Sequence, residues 1–153
     1  MSEARALHVV IATDGSEHAR EAVRRARVLL NMQAVAAITV VSVVKPVVTL
    51  AAFADLPPQI WTEMEEAAQK AAQQALDDAC AVLAGTEARI ETLLLSGDPA
   101  TEIVRAARDA RADVIVVGSR GWGEVKALLL GSVSERVLHA AHCPVLVVRP
   151  TER

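Results

Sequence analysis

Tyrosine is absent from this 153-residue chain, phenylalanine occurs once, at Phe53, and the two tryptophans are Trp61 and Trp122. With 2% aromatics there is no set of rings to interleave with basic residues as a stacking platform for bases, and Lys and Arg form no patch. Nucleic acid is therefore not an expected partner. An excess of one charge is also missing: 16 Lys and Arg against 19 Asp and Glu leave a net −3, interspersed rather than blocked. The two cysteines, Cys80 and Cys143, are isolated, with no CxxC, which argues against a disulfide framework. Long apolar runs are lacking: Ala34 to Val44 is too short to span a bilayer and carries Thr39 and Ser42. The N-terminus does not read as a signal peptide. A cytoplasmic protein with no membrane partner is the expectation.

What is plentiful is Val, Leu, Ile and Ala, within a hydrophobic content of 52%. Such a diet suits parallel strands buried on both faces and covered by Ala-rich helices. The length fits one domain, residues 1–153, burying about 70% of its unfolded surface.

Leu7 to Ala12 reads as a first strand, ended by Thr13-Asp14-Gly15-Ser16. A helix follows with Ala19, Ala22, Val23, Ala26, Leu29 and Leu30 on one face. Ala36 to Val43 is a second buried strand, and Lys45 to Pro58 an apolar loop between prolines. A long helix from Ile60 to Leu83 has Ile60, Met64, Ala67, Ala68, Ala71, Ala75, Cys80 and Val82 as inward candidates, and Gly85 ends it. Ala88 to Leu95 is a third strand, and Asp98 caps a helix from Ala100 to Ala110, with Pro99 at its first position. Asp113 to Val117, a short helix from Val133 to about His139, and the strand Val145 to Val148 complete the chain. Strand and helix alternate throughout, which argues a doubly wound α/β domain.

In open α/β sheets, ligands bind beyond the carboxyl ends of strands where the strand order reverses. Two strand ends here carry unusual residues: Thr13-Asp14-Gly15-Ser16 after the first and Gly118-Ser119-Arg120-Gly121 after the fourth. In a sheet of order 3-2-1-4-5 both loops line one crevice. The second opens a stretch, Gly118 to Val137, that holds four of the seven glycines. Glycine lets backbone N–H groups approach an anion, and a helix starting at Ser132 aims its positive end at the same spot. Ser132 and Ser134 add hydroxyls, and Arg120 and Lys126 add charge. A plainer reading stands beside this one. Ser132-Val133-Ser134-Glu135 fits the capping box S-x-x-E, with Gly131 a mere turn residue.

The spacing Gly118-x2-Gly121-x9-Gly131-Ser132 and the run through Ala141-His142-Cys143-Pro144-Val145-Leu146-Val147-Val148 resemble the nucleotide-binding signature of the universal stress protein family. Val9 to His18, Gly97-Asp98-Pro99 and Ala112 to Ser119 resemble its other units in the expected order. The resemblance implies a Rossmann-like sheet of five parallel strands in order 3-2-1-4-5, helices on both faces, and a homodimer. It also implies ATP as ligand, with Mg2+. By position, Ala12, Thr13 and Asp14 are placed by the ribose and the phosphate–metal region, Asp14 being the candidate to meet ATP-bound Mg2+, and Val41 by the adenine. Val117, Gly118, Arg120 and Gly121 line the nucleotide, and Gly131, Ser132, Val133 and Ser134 hold phosphates. With nucleotide bound, Glu135 is expected to turn away and leave the amides of Ser132 to Ser134 to the phosphates.

The remaining residues read more plainly. Thr13 and Ser16 suit turn and cap roles, and Asp14 alone fits an Asp-Gly turn as well as a ligand. His139, His142 and Cys143 lack the second pair that a metal site needs, and His139 suits a helix C-terminus. Trp122 is a cover over the nucleotide, an exposed dimer contact or a loop residue packing locally; Trp61 packs at a helix start; Glu63, Glu65 and Glu66 form a solvated face. Val145 to Val148 makes an apolar sheet edge that pairing with a second copy would cover. No Walker-type G-K-[ST] occurs, so fast phosphoryl transfer is not expected; slow ATP hydrolysis or self-phosphorylation stays open. The reading is a cytoplasmic ATP-binding regulatory or protective module in stress response. The alternative is a nucleotide-free dimeric interaction protein whose glycine stretch only shapes the dimer. A dinucleotide dehydrogenase fits poorly, because Thr-Asp-Gly-Ser stands where G-x-G-x-x-G is needed.

Overall fold

Alternation along each strand builds two cores rather than one. A computed structural model describes residues 6–30, 32–47, 55–120 and 130–150. Its strands are β1 (Leu7–Ala12), β2 (Val35–Val44), β3 (Arg89–Ser96), β4 (Val114–Gly118) and β5 (Val145–Val148). They pair in parallel throughout, in the order β3-β2-β1-β4-β5. The helices are α1 (Glu17–Leu29), α2 (Pro58–Leu83), α3 (Pro99–Asp109) and α4 (Ser132–Ala140). On one face Val9 and Ile11 join Ala22, Val23 and Ala26 of α1 and Leu76, Ala79 and Leu83 of α2. Val10 and Ala12 point the other way, into a second core with Ile103, Ala106 and Ala107 of α3 and Val137 of α4. The inner strands β1, β2 and β4 are thus covered on both sides, as their continuous apolar runs require, while most of the edge strand β3 is exposed. The doubly wound α/β architecture and its strand order agree with the sequence reading.

The helix starts follow local chemistry. Ser16 caps α1, its Oγ accepting the Ala19 N–H at 3.2 Å. Asp98 caps α3 through the Thr101 N–H at 3.0 Å, with Pro99 in the first turn. Trp61 sits at the start of α2 and donates its ring N–H to the Leu56 carbonyl at 2.9 Å. Among the described residues, no helix is long and apolar enough to cross a membrane.

The inward face of α2 agrees with the one expected at Ala75 and differs in the first half of the helix. Ala72, Ala75, Leu76, Ala79 and Leu83 are buried, whereas Ile60, Met64, Ala67 and Ala71 are exposed. Length explains this. The helix has 26 residues and so runs about 39 Å, while the eight residues of β3 extend about 26 Å. Only the second half of α2 lies against the sheet, and with so many alanines the helical period alone does not choose the phase. Leu29, also expected inward, is exposed at the end of α1.

Two glycines are set by close approach. Gly15, in the turn after β1, has φ +78°, and a Cβ there would lie 3.2 Å from the Ala75 Cβ of α2. At Gly118, where β4 ends, a Cβ would lie 2.9 Å from the backbone carbonyl carbon and oxygen of His18. The first turn of α1 rests directly on this glycine, and backbone cannot swing aside as a side-chain tip can. Gly118→Ala is expected to cost about 1–3 kcal/mol through this overlap, measured as a loss of unfolding free energy in urea.

Candidate functional site

The order β3-β2-β1-β4-β5 reverses between β1 and β4, so the loops leaving these two strands diverge and open a crevice at their carboxyl ends. The loop after β1 is held by its own side chains. Thr13 N–H continues the pairing to the Val41 carbonyl at 2.9 Å. Thr13 Oγ1 accepts the Gly15 N–H at 3.3 Å, and Asp14 Oδ1 accepts the Ser16 N–H at 2.9 Å. Thr13 and Ser16 are buried, as their turn and cap roles suggest, while Asp14 is exposed.

The loop after β4 is organised by Ser119. Its N–H donates to the Val148 carbonyl of β5 at 2.8 Å, and its carbonyl accepts the Gly131 N–H at 2.7 Å. The same carbonyl takes the Ser134 hydroxyl at 3.0 Å, and Ser119 Oγ lies 3.0 Å from His18 Nδ1. These contacts fix where α4 begins. Gly131 is the N-cap and makes no side-chain cap; Ser132 already belongs to the helix. The capping box of the plainer reading is therefore not formed, because Ser132 stands one residue too late to close it. The Glu135 N–H makes an ordinary helical bond to the Gly131 carbonyl at 2.9 Å.

Between the two loops lies a cavity of about 290 Å³. Ala12, Thr13, Asp14, Val41, Val117, Gly118, Arg120, Gly131, Ser132, Val133 and Ser134 all line it. The remaining expected residue, Gly121, lies outside the described residues, as do Trp122 and Lys126. Val41 and Val43 of β2, with Pro99 and Ile103 of α3, make an apolar flank. On the β4 flank the lining is Arg120 and the first turn of α4, whose peptide N–H groups carry the positive end of the helix dipole. A flat apolar group on one side and an anion on the other suit this division of surface.

The universal stress protein family model matches residues 6–149. This chain belongs to the universal stress protein family. It is 36% identical over 146 residues to universal stress protein MJ0531 of Methanocaldococcus jannaschii, covering 95% of this chain and 83% of that protein. A universal stress protein of Thermus aquaticus is 37% identical over 144 residues, covering 92% of this chain and 97% of the other. The solved structure of MJ0577 superposes with a TM-score of 0.82 at 24% identity, over 97% of this chain and 99% of that one. Solved structures of the same fold include a universal stress protein in complex with cAMP (TM-score 0.65, 25% identity, 96% and 99% covered). A family protein from Arabidopsis thaliana with AMP bound aligns at TM-score 0.66 and 18% identity, with 95% and 92% covered.

For this member of the family, sequence reasoning missed Ala19, Val43, Lys45, Pro99 and Ile103 in the lining. The signal for three of them was available. Val43 lies at the end of β2, the strand next to β1, Lys45 just past it, and Pro99 begins the helix that leaves β3, so a fixed strand order brings them to the same rim. It also missed the partner of His18, because Ser119 lies 101 residues away in sequence. His8 is engaged as well, its Nε2 lying 2.8 Å from Thr39 Oγ1.

Two polar features carry testable consequences. Ser134 is buried and its hydroxyl lies 3.0 Å from the Ser119 carbonyl and 2.9 Å from that of Gly131. Its hydrogen is thus spent inside the protein, and what the residue offers a ligand is backbone. Ser134→Ala is expected to cost about 1 kcal/mol of unfolding free energy, read from urea denaturation.

Asp98 receives both guanidinium nitrogens of Arg136 at 2.7 Å, and the Thr101 hydroxyl at 2.7 Å. Arg136 first, and Thr101 next, hold its carboxyl well below the usual carboxylate range. A lowered folded value stabilises the protein above the unfolded value of about 3.9 and ceases to do so as the pH falls through the folded one. The difference in Tm between wild type and Asp98→Asn should therefore be level from about pH 7 to about pH 5 and close only in stronger acid. Thermal melts across that range check it.

Proposed function

We propose that this universal stress protein binds ATP and acts as a cytoplasmic, nucleotide-dependent regulatory or protective module in stress response, a single domain working as a homodimer. The observation that carries the reading is the cavity at the strand-order reversal, walled on one side by the first turn of α4 with no side-chain cap at Gly131. Family structures holding cAMP and AMP support an adenine nucleotide as the class of ligand.

In this reading the adenine lies on the apolar flank beside Val41, and Ala12 and Thr13 border the ribose. Val117, Gly118, Arg120 and Gly121 follow the nucleotide, and the backbone of Gly131, Ser132, Val133 and Ser134 receives the phosphates. Glycine at 131, directly before the helix, lets a phosphate reach those amides. The exposed carboxylate of Asp14 at the cavity rim fits the Mg2+ that accompanies ATP, whose chemistry there is to neutralise phosphate charge. The role is binding rather than rapid turnover. Ser119 and His18 make a Ser–His hydrogen bond, but Ser119 is buried and does not line the cavity. The proposed dimer forms through β5, which ends the sheet and pairs with β4 on one side.

Calorimetric titration with ATP and Mg2+ should show saturable binding, and Gly131→Val should abolish it by filling the space before the first turn of α4, while sedimentation still reports a dimer. Wild-type protein that binds no nucleotide, together with a Gly131→Val protein that falls to monomers, would establish the nucleotide-free interaction protein instead.

A further inference from the structure

The first turn of α4 gives Ser132, Val133 and Ser134 to the cavity, and it is held from two sides. On the β4 side the Ser119 carbonyl takes the Gly131 N–H and the Ser134 hydroxyl. On the α3 side stands Arg136, one helical turn beyond Ser132 and therefore on the same side of α4. Its two nitrogens meet the two oxygens of Asp98, each at 2.7 Å. Asp98 is also the cap of α3, immediately before Pro99, and Pro99 and Ile103 line the opposite part of the same cavity. One ion pair thus ties the start of α3 to the second turn of α4, the two helices that border the cavity.

We infer that the Asp98–Arg136 fork is a brace that sets the gap between α3 and α4, making it a positioning pair for the ligand of this cavity. Two parallel hydrogen bonds from a planar guanidinium fix an angle as well as a distance, which a lysine ammonium does not. The pair is also neutral. Asp98 alone would leave a negative charge at the start of α3, and Arg136 cancels it. Both side chains are about half exposed, at 45% for Asp98 and 55% for Arg136. Such a pair contributes little to global stability, so its effect falls on the geometry of the site. The identity of the ligand rests on the nucleotide reading above; the brace itself does not.

The variants are Arg136→Lys, which keeps the charge without the fork, Arg136→Gln, and Asp98→Asn, which keeps a capping side chain. In nucleotide-free protein, hydrogen exchange of the helix-bonded amides from Glu135 to His139 should quicken about tenfold in both Arg136 variants, with little change in Tm. Unchanged exchange overturns the brace, and so does a fall in Tm large enough to account for the faster exchange. Calorimetry with Mg-ATP, and separately with AMP, should show binding about tenfold weaker in Arg136→Lys, Arg136→Gln and Asp98→Asn. The Asp98→Asn/Arg136→Gln double variant should be no weaker than either single one, since the two groups act as one. Wild-type affinity in the Arg136 variants overturns the positioning role. If wild-type protein binds neither nucleotide, the proposed function falls, and hydrogen exchange still decides the brace.

Discussion

The burial of β1 on both faces and both edges is the constraint from which the rest of the molecule follows. Val9, Val10 and Ile11 have essentially no exposed surface, with helices above and below and β2 and β4 alongside. A strand so enclosed can present polar groups only at its ends, and its carboxyl end is where the two halves of the sheet part company. The residues just past it, Thr13 and Asp14, thus have a cavity beside them without any special device. Small side chains do part of the covering, beside larger ones such as Leu76, Leu83 and Ile103. Ala22 and Ala26 of α1, and Ala106 and Ala107 of α3, bring the helix backbones close to the sheet, which is why the chain manages with almost no aromatic residues.

Much of this was legible in the amino-acid sequence, for reasons that can be separated. The strands were readable because unbroken runs of Val and Ile are bounded by Gly, Asp and Pro. Strand order was not a matter of periodicity; it came from the resemblance of the glycine spacing and flanking units to a family. Phase within α2 was not legible, since alanine suits either side of a helix and nothing local says how far the helix outruns the sheet. The start of α4 was misjudged by one residue for a related reason. S-x-x-E satisfies the capping pattern, but the Ser119 carbonyl, distant in sequence, engages Gly131 and Ser134 and sets the register. A contact such as His18 with Ser119 exists only once the sheet has been assembled.

The site also shows how family membership and local chemistry divide the explanation. Membership accounts for the glycines and for the fold. The structure adds the use each polar group is put to: Ser134 turns its hydroxyl inward, Ser119 serves four neighbours without lining the cavity, and Asp98 joins a cap to an ion pair. The hydroxyls of Thr13 and Ser134 and the carboxylate of Asp14, all in the cavity lining, are thus already bonded within the protein.

The contact between Gly15 and Ala75 links this lining to a helix otherwise remote from it. Only 3.2 Å would separate a Cβ at 15 from the methyl of Ala75, so the turn carrying Asp14 is pressed against the middle of α2. Ala75 itself is buried. A larger side chain there would act as a wedge under the Asp14 turn, and the volume of a residue in the hydrophobic interior would be felt at the carboxylate on the cavity rim. The long helix is in this sense the bed on which the β1 loop lies, and its packing governs how freely that loop can adjust to whatever enters.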